Sequence, residues 1–375
     1  MSKRRRVGSS ESHTKQTNTT TLTATTSKKS SKEAAIKESV AKTLTSVVLN
    51  SNLPHDFKFD AFQIKCFEHI LAGQDLVVSL RTGGGKFLIL ALSILFCGAT
   101  GTVYITVPLD MLAEEHKLTL TQTLGVPASK VVILKRENLD QTTNSILTTG
   151  TDDMPLYVLG HPEMLLELIH SRRLARYHRG TILACDEVQL ITEWGDKEGF
   201  IPAWGQLRTI LTRNDTMRFI GFGGSSTQEQ LEDICRTLDI HKSSIVHGTM
   251  SRRDLELSII EDFSGLPRRN EEWTKGKGTL LVYLMATIFR MVDKDPTHRG
   301  VIVWCESKAA CRKFCAQLNI FLQTKSSTTG RQHAAYLYYN NNSLYSMKAT
   351  LRMYGDPAHP CDILIGTVAF ALGLN

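Results

Sequence analysis

Residues 82 to 87 read TGGGKF. Three glycines closing on a lysine suit a loop that turns its amide N–H groups inward around phosphate oxygens, with Lys86 reaching the β and γ phosphates. The flanks give the context such a loop requires: an apolar stretch, DLVVSL from Asp75 to Leu80, before it, and an apolar helical run, Phe87 to Cys97, after it. Thr82, Gly83, Gly84, Gly85, Lys86 and Phe87 are therefore candidate nucleotide contacts. Phe87 stands where a hydroxyl ordinarily ligates Mg²⁺, and a phenyl ring offers no oxygen to a hard cation. A second set of candidates follows one hundred residues after Lys86, where TILAC, Thr181 to Cys185, runs into Asp186 and Glu187. Two carboxylates then sit at the C-terminal end of an apolar strand, the edge of a doubly wound sheet where ligands bind. In that place Asp186 would hold Mg²⁺ through water and Glu187 would polarise the attacking water, which makes Lys86, Asp186 and Glu187 candidate catalytic residues.

Elements must bring these residues together. Short apolar runs at Leu76 to Leu80, Thr102 to Val107, Lys130 to Leu134, Leu156 to Leu159, Thr181 to Cys185 and Met217 to Phe222 alternate with helical stretches. That alternation predicts βαβ units around a parallel sheet, an α/β fold of the P-loop NTPase kind. After the polar segment SGLPRRNEEWTKGK, Ser264 to Lys277, a second and shorter series begins: Val301 to Cys305, Ala334 to Leu337 and Asp362 to Gly366. The organisation read from this is an unstructured basic tail over 1–35, a nucleotide-binding lobe over 36–250, a linker over 251–278 and a partial second lobe over 279–375.

Composition narrows the class. Hydrophobic residues make up 42% and charged residues 22% of the 375, as in soluble globular chains. The longest apolar run, Phe87 to Cys97, is about half of a membrane span, so a buried helix is expected there and no membrane partner. The formal charge of +7 is concentrated in residues 1 to 42, which carry ten basic and three acidic side chains. The remainder balances, so charge alone gives no argument for nucleic acid in the folded part. The tetrad Lys3 to Arg6, KRRR, reads as a nuclear import signal. Eight scattered cysteines without a secretory leader fit a reduced, intracellular setting, and although Cys311 and Cys315 stand one helical turn apart, nothing completes a zinc set.

The ordered motifs resemble the RecQ-type DNA helicases of helicase superfamily 2, from about Phe57 to Asn375. TGGGK is similar to motif I, and Asp186-Glu187-Val188-Gln189 to the DEAH-type motif II, which adds Gln189 to the candidate catalytic residues. ITEWGDKEGFIPAW, Ile191 to Trp204, resembles the aromatic-rich loop that follows motif II in RecQ helicases and that DEAD-box RNA helicases lack. Phe59 and Gln63 resemble the FRxxQ motif whose glutamine reads adenine, Pro108-Leu109 motif Ia, Tyr157 to Leu165 the family's YVAPERL, Gly223 to Ser225 motif III, Ile302 to Lys308 the IIYCxSR motif, and Gly366 to Asn375 motif V.

The resemblance implies two RecA-like lobes that bind ATP with Mg²⁺ and step 3′ to 5′ on single-stranded DNA or at duplex junctions. Trp194, Phe200 and Trp204 would stack on bases, and Ser225 and Thr367 would contact the strand. For these three aromatics, core packing is the competing reading.

The pattern also departs from the family. Phe87 replaces the metal-binding hydroxyl, Gln189 replaces His, Asp60 replaces the arginine of FRxxQ, and Gly223-Gly224-Ser225 replaces TAT. Motif VI, with its arginine finger, does not occur before Asn375, and a missing finger costs about 10³ to 10⁵ in rate. A helicase fragment with impaired hydrolysis is the leading expectation; a nucleic-acid-binding helicase remnant without turnover is the alternative, and a DEAD-box-type RNA helicase fits less well.

Overall fold

The computed structural model describes residues 19–97, 101–141, 156–170, 182–195, 201–212, 217–224, 226–240, 243–250, 273–294, 300–325, 330, 332–338, 349–350, 352–354, 359 and 361–367. Seven strands form the larger sheet: β1 (Asp75–Ser79), β2 (Val103–Thr106), β3 (Val131–Ile133), β4 (Tyr157–Gly160), β5 (Ile182–Asp186), β6 (Arg218–Gly223) and β7 (Ser243–His247). Their order is β3-β4-β2-β5-β6-β1-β7 and every pairing is parallel.

The near-continuous apolar runs seen in the sequence follow from burial of the sheet on both faces. Successive strand residues point to opposite sides: Leu76, Val78, Val103, Ile105, Ile182 and Ala184 enter one core, and Val77, Tyr104, Leu183 and Cys185 the other. Helices α1 (Thr19–Asn50), α2 (Ala61–Leu71), α3 (Lys86–Leu92) and α4 (Asp110–Leu118) pack on the first face. On the second lie α5 (Pro162–His170), α6 (Leu190–Glu193), α7 (Ala203–Gln206), α8 (Arg208–Thr212) and α9 (Gln228–Leu238).

A smaller parallel sheet, ordered β8-β10-β9, is built from β8 (Val301–Trp304), β9 (Ala334–Tyr338) and β10 (Cys361–Gly366). Helices α10 (Trp273–Lys294) and α11 (Lys308–Gln323) give it a separate core around Met285, Ile288, Cys311, Leu318 and Ile363. Among the described residues no helix is long and apolar enough to cross a membrane.

Four differences from the sequence expectations have local causes. Helix α1 starts at Thr19, inside the segment expected to lack structure, and among its described side chains those packed on the core include Ile36, Val40 and Leu44. The run Phe87 to Cys97 is two elements: α3 ends at Leu92 and a 3-10 turn covers Ser93–Phe96, where the Ser93 hydroxyl donates to the Leu90 carbonyl at 2.6 Å. Such back-bonding bends a helix. Strand β7 escapes the apolar-run criterion because SSIVH lies at the sheet edge, paired on one side with β1, where polar side chains are tolerated. Of the expected linker, residues 273–278 belong to α10, and residues 251–272 lie outside the described ones.

Candidate nucleotide-binding site

The sheet order makes β2, β5, β6 and β1 consecutive neighbours. Since all run parallel, their C-terminal ends open on one edge, and the segments that follow them converge there. After β1 comes the glycine loop, after β5 the acidic pair, after β6 the Gly223-Gly224 turn, and after β2 the start of α4.

The loop has the shape expected of TGGGK. Gly83 and Gly85 both take φ +76°, in the left-handed region, and Gly85 is the N-cap of α3, with Lys86 its first residue. A side chain at Gly85 would be strained by that φ and would also meet Gln63 Nε2. Gln63 is thereby brought to the loop. Its carbonyl is already engaged, because Asp60 and Gln63 form a capping box: Asp60 Oδ1 accepts from Gln63 N–H at 2.7 Å and Gln63 Oε1 from Asp60 N–H at 3.1 Å. The Asp60 departure from FRxxQ is thus a helix cap.

Lys86 and the acidic pair meet. Lys86 Nζ lies 3.5 Å from Glu187 Oε1, with both side chains largely buried, and Gln189 Nε2 donates to Glu187 Oε2 at 2.7 Å. Glu187 holds φ +59°, a left-handed conformation that costs a non-glycine residue about 1–3 kcal/mol. That strain aims its carboxylate back across the sheet edge at Lys86. The other face of Gln189 explains a second departure. Its Oε1 is buried without a hydrogen-bond partner and lies 3.0 Å from where a Cβ on Gly223 would stand, with Ser226 Oγ at 2.5 Å. A side chain at 223 would press on Ser226 Oγ and Gln189 Oε1, so the bare glycine leaves room for the Gln189 amide. A Cβ at Gly224 would stand 3.7 Å from Lys86 Nζ, which brings the turn after β6 into the same site.

Asp186 is fully inside. Its Oδ1 accepts from the Glu187 backbone N–H at 3.1 Å, and its Oδ2 lies 3.0 Å from His116 Nε2. Burial alone would push the Asp186 carboxyl up, but the His116 hydrogen bond and the nearby Lys86 charge hold it below the usual carboxylate range. An ionised carboxylate only accepts, so His116 Nε2–H is the donor. The opposite side of the imidazole is covered by Phe87: the ring centroids are 3.8 Å apart and the planes only 6° from parallel. Sequence reasoning missed His116. The available signal was its position on the apolar stripe of α4 with Leu112 and Ala113, directly after Pro108-Leu109.

The glycine loop, Lys86 and the α3 N-terminus fit a nucleoside triphosphate. They do not fit Mg²⁺. The loop supplies a phenyl ring in place of the hydroxyl, and each oxygen of Asp186, the expected indirect ligand, already accepts one N–H. Among the described residues no group of three His, Cys, Asp or Glu side chains is placed to hold a metal.

The nucleic-acid candidates divide. Trp204 is fully buried in the second core, so the expectation that it stacks on a base is corrected: its ring fills the space under α7. Trp194 is partly exposed and packs one side against the same core. Thr367 is half-buried at the end of β10. Phe200 and Ser225 lie outside the described residues.

Comparison with known proteins agrees with this geometry. A family model described as DEAD/DEAH box helicase matches residues 60–234. The ATP-dependent DNA helicase Q-like 2 of Arabidopsis thaliana is 23% identical over 321 residues, covering 85% of this chain and 41% of the relative. The ATP-dependent DNA helicase Q1 of Mus musculus is 22% identical over 321 residues, covering 85% and 45%. The chain thus spans less than half the length of these curated relatives. Among solved structures, the Mycobacterium smegmatis helicase Lhr bound to ssDNA and AMP-PNP superposes with a TM-score of 0.59 at 17% identity, covering 84% of this chain and 40% of that one. Saccharomyces cerevisiae Dbp5 bound to RNA and ADP BeF3 gives 0.54 at 13%, covering 84% and 72%. At such identities the superpositions speak for the RecA-like fold alone. With a glycine loop and an acidic strand end meeting at one edge of that fold, residues 60–234 match the DEAD/DEAH box helicase domain, in a chain whose curated relatives are RecQ-like ATP-dependent DNA helicases.

Proposed function

We propose that this chain is the nucleotide- and DNA-binding core of a RecQ-type 3′ to 5′ DNA helicase, a nuclear protein working on single strands and duplex junctions, with impaired turnover. The observation that carries the reading is the meeting of Lys86 and Glu187 at 3.5 Å from two loops on neighbouring strand ends. In this reading the loop amides and the α3 N-terminus bind the phosphates, and Lys86 exchanges Glu187 for a β or γ oxygen. Glu187 Oε1 is then released to accept a proton from the attacking water, while Gln189 keeps Oε2 in place. Nothing in the described site takes over the charge neutralisation that Mg²⁺ supplies when it is bound, so hydrolysis is slow while binding persists. The DEAD/DEAH match over 60–234 supports the nucleotide part, and the RecQ-like relatives over 85% of the chain support DNA over RNA.

The test is ATPase activity of the purified chain with saturating single-stranded DNA, alongside binding of labelled DNA and RNA oligonucleotides. The expected result is DNA binding in preference to RNA, and turnover no more than a few-fold above a Lys86→Ala control, with Phe87→Ser raising it. Wild-type turnover orders of magnitude above that control would remove the impaired-turnover reading, and preference for RNA would remove the RecQ-type one.

A further inference from the structure

Three side chains from three separate elements meet beside the glycine loop. Phe87 comes from the first turn of α3, His116 from the far end of α4 and Asp186 from the end of β5. Phe87 lies flat on the His116 ring at 3.8 Å, and His116 Nε2 is 3.0 Å from Asp186 Oδ2. His116 and Asp186 are both buried, and Phe87 packs against the first core. We infer that the Phe87–His116–Asp186 stack replaces the divalent cation in this chain, so that its nucleotide site binds a nucleoside triphosphate without a metal.

The inference rests on the nucleotide-binding reading above and deepens it. A buried carboxylate needs donors for its lone pairs, and a metal-bound water ordinarily serves as one of them. Here the imidazole N–H and the Glu187 amide serve instead. The phenyl ring makes an apolar, parallel contact with His116 at the first turn of α3, and the contact holds the imidazole edge towards Asp186. The Phe87 departure and the presence of a buried histidine on α4 are then two halves of one substitution, just as Gln189 and Gly223 are. The charge available to a triphosphate is what remains: Lys86, the loop N–H groups and the helix end.

The competing outcome is that a cation enters with the nucleotide, held by phosphate oxygens and water, and displaces His116. Titration of the full chain with a fluorescent ATP analogue, in excess EDTA and in excess Mg²⁺, separates the two. The expected result is the same affinity in both buffers to within about twofold; tightening by about tenfold or more on adding Mg²⁺ overturns the inference. Lys86→Ala is the control that assigns the signal to this loop, and it should lose binding in both buffers. No binding by the wild type in either buffer would overturn the nucleotide-site reading and this inference together, whereas binding only with Mg²⁺ would overturn the inference alone. The double variant Phe87→Ser/His116→Ala, its fold checked by circular dichroism, should acquire a Mg²⁺ dependence of about tenfold. A folded double variant that stays indifferent to Mg²⁺ would overturn the assignment to these residues; if it does not fold, the wild-type comparison decides.

Discussion

At the scale of single residues, two tryptophans ten positions apart have different environments. Trp194 ends α6 with part of its ring exposed, while Trp204 sits in α7 with none. Trp204→Ala should therefore cost stability, about 3–5 kcal/mol as for other large-to-small core changes, read as a lowered melting temperature. Trp194→Ala should cost less stability and instead weaken binding of a single-stranded oligonucleotide by about 1–3 kcal/mol in fluorescence anisotropy, as expected for one lost stacking partner. Equal losses of stability in the two variants would remove the stacking role from Trp194. The same scale shows why substitutions in this chain are better read in pairs. Asp60 makes sense with Gln63, Gln189 with Gly223, and Phe87 with His116, because in each case one side chain occupies what the other leaves.

At the scale of elements, the site is a consequence of strand order. Four neighbouring parallel strands end on one edge, and the opposite edge carries its own polar anchor. Asp75, at the start of β1, accepts a hydrogen bond from the Phe219 N–H of β6 at 2.8 Å. Burial pushes the Asp75 carboxyl up, against the pull of the Phe219 hydrogen bond and the Arg218 charge. A carboxyl raised in the folded state contributes its stability below the unfolded value, and that contribution is lost as pH rises through the folded one. Asp75→Asn keeps an acceptor for Phe219 N–H and removes the buried charge. Its melting temperature should exceed the wild type's at about pH 7, and the advantage should vanish at about pH 4, near the ordinary carboxylate range. A variant less stable than wild type at neutral pH would show that the charge itself, through Arg218, is what β1 requires.

At the scale of the molecule, the chain has two sheets with separate cores, and α4 reaches from one to the other. Met111, near the N-terminus of α4, accepts a hydrogen bond through its sulfur from Tyr338 Oη of β9 at 3.3 Å, while His116 on the same helix contacts Asp186. The smaller sheet has a polar knot of its own. His333 Nδ1 lies 2.6 Å from Asp362 Oδ2 and His333 Nε2 lies 3.3 Å from Asp293 Oδ1, all three side chains buried, which ties β9, β10 and α10 together. His333→Ala should destabilise that unit by about 3–5 kcal/mol, the usual result of removing one partner from a buried polar pair. Because the larger sheet has its own core, thermal unfolding should then show an early transition for the smaller unit while nucleotide binding persists below it. Loss of both in one transition would mean that the two units unfold together.

Much of this protein was determined by its sequence alone. Apolar runs placed nine of the ten described strands, the glycine loop was set between a strand and a helix, and the acidic pair was set at a strand end. These are local signals, carried by residues within a turn or a strand of one another. What tertiary structure decided is non-local. His116 and Asp186 are 70 residues apart in sequence, and only the adjacency of β2 and β5 brings them together. No spacing rule marks a histidine on an apolar helical stripe as the partner of a distant carboxylate. Trp204 could not be told from Trp194 for the same reason, since which face of a short helix meets the core depends on what packs there. The sequence showed that Phe87 could not ligate a cation; the fold shows what the ring does instead, because only packing placed an imidazole against it.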